Sequence, residues 1–281
     1  MTTPVLTAAT IGRYLSYLQE RERAAATLQK YAHDLNVLRE WLGERALTKQ
    51  TLLLWKEELI SKRAPATVNT MLAALNGYLS FMGWLQLRLR PLRIQRTLFQ
   101  DERRELDRQE YVRLVAAARR RGSQRLSLIL QTICATGIRV SELRFITAEA
   151  VATGRAEISN KGKRRIVFLP DKLRHLLQPY LHRQGITAGP VFLSRTGKAL
   201  DRSHIWREMK ALCQSAEVSP EKVFPHNLRH LFARTYYTME KDLSRLADIL
   251  GHSSVDTTRI YTAESGIVHA RQVGRLGLVV T

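Results

Sequence analysis

The chain has 281 residues, with 45 Lys and Arg against 25 Asp and Glu, a formal charge of +20. That length, with 44% hydrophobic residues, buries a substantial core, which excludes a disordered tail and a disulfide-stapled miniprotein. The excess charge points to a polyanionic partner, and nucleic acid outranks a membrane because no stretch reaches the ~18–20 apolar residues that span a bilayer. The N-terminal MTTPVLTAATIGRY has no basic segment followed by a long apolar one, so no secretory signal is expected. Cys134 and Cys213 sit among apolar residues and read as buried free thiols in a reducing compartment, with no pattern for zinc.

Residues 1–86 read as helices with short breaks. In the second, Leu28, Tyr31, Leu35, Leu38 and Leu42 form one apolar stripe, with Thr27 as its cap and Gly43 as its end. A third helix runs from about Leu47 to Ser61. Pro65 then opens a fourth, whose Val68, Met71, Leu72, Leu75, Tyr78 and Leu79 form the buried face. Trp41, Trp55 and Trp84 fall near apolar stripes and are core residues on this reading. Between Leu87 and Arg104 the periodicity fails. Arg88, Arg90, Arg93 and Arg96 surround Pro91 there, which reads as a basic linker touching phosphates.

The second lobe opens with a helix through Tyr111, Leu114 and Val115, then an apolar helix from Leu126 to Ala135. Apolar and β-branched flanks around Asn160-Lys161-Gly162-Lys163 predict a β-hairpin. Helices follow, so the class is mainly α with a small antiparallel sheet.

Unusual residues gather in three further segments. In ATGIRVSEL (135–143), Gly137 closes a helix and leaves Arg139 at a sharp turn, where pairing with Glu142 is the ordinary reading. In PHNLRH (225–230), Pro225 starts a helix that places His226 and Arg229 on one face at the positive end of the dipole, a place that suits an anion. His226 and His230 have the spacing of zinc hydrolases, but Asn227 stands where the glutamate belongs, so no metal is expected and His230 reads as a packed structural histidine. In LGHSSVDTTRIYT (250–262), Gly251 ends one helix, the serines and Asp256 cap the next, and Tyr261 lies about two turns along it. Arg139 and Arg229 both look exposed.

These three segments, in this order and spacing, resemble the signatures of the tyrosine recombinases. NKGKRR (160–165) resembles that family's lysine-bearing hairpin. Thr27, Tyr31, Asp34, Leu35 and Trp41, followed by Thr67-Val68-Asn69, resemble its helical core-binding domain. The resemblance covers nearly the whole chain. It implies a two-domain architecture: an N-terminal helical, SAM-like core-binding bundle (1–86), a basic linker (87–104) and a C-terminal mixed α/β catalytic domain (105–281) ending in an apolar interaction tail.

It also implies a chemistry. Tyr261 matches the nucleophile that attacks a DNA phosphodiester, giving a 3′-phosphotyrosine and a free 5′-hydroxyl. His226 matches the proton acceptor, Arg139 and Arg229 the guanidiniums on the non-bridging oxygens, and His252 a further hydrogen bond to the phosphate. Lys161 matches the general acid for the leaving oxygen. The hairpin is one residue shorter than in many relatives, so Lys163 competes for that role. Glu142 matches a supporting position that orients Arg139.

Neither metal nor nucleotide cofactor is implied, because the covalent link conserves the energy of the broken bond. The implied partner is a pair of double-stranded recombination sites held by four protomers, identical or including a related recombinase, in the cytoplasm and on the nucleoid in a bacterium. Two basic lobes and the Arg88–Arg96 strap are expected to close around a duplex. The tail from Gly266 packs on its own domain or on a neighbouring protomer. Two alternatives remain open: a catalytically inactive DNA-binding regulator on the same scaffold, and a topoisomerase-like relaxing enzyme. Integration, excision and dimer resolution are not distinguished.

Overall fold

The computed structural model describes residues 4–94, 104–160, 163–194, 197–198, 200–252 and 254–258, with only the backbone at 160 and 163. The chain divides into two compact units, Met1–Arg96 and Thr97–Thr281. The fold is mainly α, with one two-stranded antiparallel sheet among the described residues.

The first unit holds α1 (Ala8–Glu20), α2 (Ala25–Leu42), α3 (Lys49–Lys62) and α4 (Pro65–Phe81). Thr7 with Thr10, and Thr48 with Thr51, close capping boxes at the starts of α1 and α3, satisfying amides that a helix start leaves orphaned. The start of α2 departs from expectation. It begins at Ala25 behind Ala24, with no side-chain cap, so Thr27 lies inside the first turn. Leu35, Leu38, Leu52, Trp55, Leu72, Leu75 and Tyr78 are almost completely buried and form the core of the bundle. Trp41 and Trp84 pack against its edge.

The basic segment after α4 is bound to this bundle for its first half, contrary to the reading of a linker from residue 87. Leu87 and Leu89 are buried in the core and Leu92 packs on it. Two asparagines on α4, seven residues apart, hold the backbone in the manner of a neighbouring strand. Asn76 Nδ2 donates to Leu89 O at 2.8 Å while its Oδ1 accepts from Leu89 N at 2.9 Å. Asn69 makes the same pair with Leu92, at 2.9 and 2.7 Å. From α3, Lys49 and Lys56 donate to the carbonyls of Arg88 and Arg90. With the leucines turned inward, Arg88, Arg90 and Arg93 are left exposed. Arg96 lies outside the described residues.

The second unit runs α5 (Arg108–Arg120), α6 (Gln124–Thr136), a 3-10 segment (Val140–Phe145), α7 (Ala148–Thr153), β1 (Arg155–Asn160), β2 (Lys163–Phe168), α8 (Asp171–Gln184), α9 (Arg202–Lys210), α10 (Cys213–Ala216), a 3-10 turn (Pro220–Lys222), α11 (Pro225–Glu240), α12 (Leu243–Leu250) and α13 (Val255–Thr258). α6 is the hub. Its Leu126, Leu128, Ile129, Leu130 and Ile133 are buried in the core of this unit, so apolar side chains face neighbours nearly all round. In the hairpin, Arg155 pairs with Phe168 and Asn160 with Lys163. The strands therefore continue one residue further into the expected turn at each end. Cys134 and Cys213 are free, and burial pushes the Cys134 thiol up to about 12, which makes it inert at neutral pH. No helix among the described residues is long and apolar enough to cross a membrane.

The asparagine latches are testable by proteolysis. At about 0.5–1.5 kcal/mol per hydrogen bond, the double variant Asn69→Ala, Asn76→Ala releases the strap. Trypsin should then cut the Arg88–Leu89 bond at least about tenfold faster, read by mass spectrometry, with the bundle's far-UV circular dichroism unchanged.

Candidate active site

Two chain reversals, each at the end of a helix, and the first turns of a third helix bring the unusual residues together. Gly137 ends α6 in the left-handed region at φ +66°, and a Cβ there would come within 2.4 Å of the Phe232 ring on α11. Only glycine permits so tight a turn against that helix. The chain then enters the 3-10 segment with Arg139 at its head. Arg139 N donates to Glu142 Oε2 at 2.8 Å and its Nη1 to Oε1 at 3.0 Å. Glu142 is 1% exposed, whereas the Arg139 side chain retains 36% of its surface. Glu142 thus ties down the backbone and one terminal nitrogen of the arginine, while part of the side chain still reaches solvent.

α11 supplies the second part. Pro225 occupies its first turn, where a missing amide hydrogen is no loss. His226 follows on the exposed side. Arg229, one turn on, does not point outward as the sequence suggests: it is 1% exposed. Its Nη1 donates to Gly137 O at 2.7 Å, and its Nη2 donates to Leu250 O at 2.8 Å and lies 2.9 Å from His252 Nε2. The carbonyls belong to the last turns of α6 and α12. These are the negative ends of two helix dipoles, which is what allows a guanidinium to be buried there.

Gly251 ends α12 at φ +66° and turns the chain into His252. Because a guanidinium has only donors, His252 Nε2 must accept from Arg229. Nδ1 therefore carries the ring hydrogen and donates to Thr258 Oγ1 at 2.8 Å. Ser254 Oγ accepts from Asp256 N and opens α13.

The charge balance of this cluster is strongly positive. Partial desolvation of the ring by its packed neighbours, although the residue keeps an exposed side, then the charges of Arg229, Arg139 and Arg202, hold the His226 imidazole below its ordinary value. Burial and the same class of neighbours, Arg229 first, bring His252 down to about 4. Burial alone would raise the Glu142 carboxyl, but hydrogen bonds from Arg165 and the Arg139 backbone, with both positive charges, outweigh it and leave it below the usual carboxylate range. A cleft of ≈ 450 Å³ opens beside these groups, lined by Arg139, Ser141, Arg202, Trp206, His226 and Arg229 among others. No acidic side chain lines it among the described residues. Such a cleft receives an anion. His230 stacks edge-on against His226, with ring centroids 4.6 Å apart, and burial lowers it to about 4. No group of three His, Cys, Asp or Glu is placed to hold a metal ion among the described residues. Lys161 and Tyr261 lie outside the described residues, and of Lys163 only the backbone is described.

Family comparison decides what the cluster belongs to. The Phage integrase family matches residues 104–266, a span that includes every residue of the cluster and Tyr261, and the N-terminal SAM-like domain of phage integrases matches residues 11–85. The chain belongs to the phage integrase family. It is a tyrosine recombinase, an enzyme of site-specific DNA recombination. Among its relatives, tyrosine recombinase XerD of Xanthomonas campestris pv. campestris is 30% identical, over 90% of this chain and 86% of that one. Two solved structures share the fold. The XerH recombinase on a palindromic difH substrate after cleavage is 19% identical with a TM-score of 0.73, covering 97% of this chain and 99% of that one. A lambda integrase tetramer bound to a Holliday junction is also 19% identical with a TM-score of 0.73, covering 90% and 76%.

Three residues of this recombinase's cluster escape a reading by motif. Arg165 donates from both terminal nitrogens to Glu142, yet in NKGKRR it looks like one more solvated charge. Its signal is strand alternation: Arg164, Ile166 and Phe168 are exposed, Val167 is buried, and position 165 falls on the inward side. Thr258 is buried under His252, where the sequence reads a helix-cap neighbourhood. Arg202 reaches the cleft from α9, with no local pattern to mark it.

The depressed histidines have a consequence for stability. Ordinary imidazoles near 6.5 in the unfolded chain bind protons that His230 and His252 refuse in the folded one until about pH 4. The stability they contribute is therefore present above pH 6.5 and is lost as pH falls from there toward 4. Thermal melts between pH 7.5 and 4.5 should show this decline, and a His252→Gln variant should show a shallower one.

Proposed function

We propose that the cluster cleaves one DNA strand at a time by tyrosine attack on a backbone phosphate. The observation that carries this reading is the pairing of two guanidiniums with a low-pKa imidazole at the mouth of a cleft that no acidic side chain lines among the described residues, within the span that matches the family and contains Tyr261. Arg139 and Arg229 bind the non-bridging oxygens, where planar two-pronged donors follow the developing charge better than an ammonium does. His226, neutral at physiological pH, accepts the phenol proton. The Tyr261 oxygen bonds to phosphorus, the P–O5′ bond breaks, and Lys161, or Lys163, protonates the departing 5′ oxygen. Glu142 orients Arg139.

His252 has a two-stage part. Phosphate takes the Arg229 Nη2 hydrogen that His252 accepts in the free protein, while the bonds to Gly137 O and Leu250 O hold the guanidinium in place. The Thr258 hydroxyl both donates and accepts, so the ring proton can move to Nε2 and meet the phosphate. A 5′-hydroxyl from a partner strand reverses the step and gives a Holliday junction. Four protomers, the number in the lambda integrase tetramer bound to a Holliday junction, provide the four active sites such an exchange needs. Arg88, Arg90 and Arg93, displayed by the latched strap, add phosphate contacts and make binding weaken steeply with salt. The convergence of Arg139, His226 and Arg229 on one cleft favours an active enzyme over a degenerate regulator, and the core-binding unit favours exchange between defined sites over general relaxation.

The experiment starts by recovering the core site from a random duplex pool with the Tyr261→Phe variant, which should bind and not react. A nicked suicide substrate of that site should become covalently attached to the wild-type protein. Arg139→Lys should slow attachment by about 10²–10³-fold with little loss of affinity. An adduct that still forms with Tyr261→Phe removes the tyrosine from its assigned role.

A further inference from the structure

The Glu142 carboxylate is shared between two arginines. Arg139 reaches it from the neighbouring turn, and Arg165 reaches it across the fold with Nη1 on Oε1 at 3.1 Å and Nη2 on Oε2 at 2.8 Å. Arg165 stands on β2, opposite Ile158 and two residues after Lys163. Its guanidinium also fills the space a side chain would need at Gly251, where a Cβ would lie 2.7 Å from Nη1 and 2.9 Å from Cδ. Gly251 is the residue before His252. One planar side chain therefore touches the lysine-bearing strand, the carboxylate that orients Arg139 and the turn that sets His252. An ammonium in its place could not span both carboxylate oxygens.

We propose that Arg165 is a positioning residue for strand cleavage, docking the lysine-bearing hairpin against the arginine and histidine that hold the phosphate. It touches no reacting atom. Its effect falls on the leaving side of phosphorus, because the carboxylate keeps its two bonds from Arg139 when Arg165 is gone, whereas the hairpin loses this side-chain tie to Glu142. The proposal rests on the assignment of Lys161 or Lys163 as donor to the departing 5′ oxygen.

A core-site suicide substrate with sulfur in place of the bridging 5′ oxygen tests it, since a thiolate leaves without being protonated. With the all-oxygen substrate, Arg165→Ala and Arg165→Lys should each slow adduct formation by about 100-fold or more, the scale of a lost general acid. The sulfur substrate should return both variants close to the wild-type rate, as it should the double variant Lys161→Ala, Lys163→Ala, and should leave Arg139→Ala slow. Arg165→Lys keeps a cation beside Glu142 and covers the case in which Arg165→Ala fails to fold, judged by thermal melting. A wild-type rate for Arg165→Lys on oxygen overturns the proposal. So does a defect equally severe on both substrates while the lysine variant is restored. If sulfur does not restore the lysine variant either, the general-acid assignment is what fails, and the hairpin-docking role falls with it.

Discussion

A fully buried guanidinium organises the catalytic unit. Arg229 has surrendered its hydration, which in a protein interior is worth several kcal/mol, and recovers it only where carbonyl oxygens converge at the right angles. The last turns of α6 and α12 supply those oxygens from Gly137 and Leu250. Each carbonyl is a helix-end group with no partner further along its own helix, so the three elements satisfy one another. α11, which carries the arginine, cannot shift against α6 or α12 without stranding a charge. This is why Gly137 and Gly251, the two left-handed reversals, sit immediately beside the latch. Both turns must be sharp for the carbonyls to face inward.

The second constraint is a deficit of negative charge. Glu142 is the one carboxylate in contact with Arg139 and Arg165 among the described residues, and one anion against two cations leaves the cluster positive. A buried ion pair contributes little to net stability once desolvation is counted. Its value here is geometric. It fixes the backbone amide and one terminal nitrogen of Arg139 while the side chain as a whole keeps about a third of its surface free, and it fixes β2 relative to them. The unbalanced positive charge then acts outward, adding to burial in lowering His226 and His252 and favouring an anion in the cleft.

How much of this was legible follows from how each contact is encoded. The helices of the first unit were readable from apolar spacing, because Leu35, Leu38, Leu72 and Leu75 lie on faces that only a bundle can bury. The left-handed ends at Gly137 and Gly251 were readable from glycine chemistry. The start of α2 was not: Ala24 has no capping side chain, and tertiary packing decides that boundary. The exposure of Arg229 was misjudged because its partners are main-chain carbonyls 92 and 21 residues away, and carbonyls carry no sequence signature. Arg165 was hidden among neighbouring charges, although its inward strand position marks it. The order of the strap after α4 is not legible because it comes from Asn69 and Asn76 on that helix, and an alternating Leu–Arg run says nothing about where such latches lie.

The same construction explains how the cluster can be both rigid and receptive. A surface arginine reaching into solvent would have to be ordered by its substrate, at the entropic cost of several rotatable bonds. Arg229 is ordered beforehand by two carbonyls, and in the proposed mechanism it is the contact with His252 that an incoming phosphate exchanges. That contact is a poor competitor for a phosphate oxygen, since a neutral ring nitrogen carries less charge than a phosphate does. The imidazole released in the exchange remains held through Nδ1 by Thr258. The free protein thus holds the two terminal nitrogens of Arg229 with partners of graded strength. The strong ones set the architecture, and the weak one is the contact that the proposed phosphate would replace.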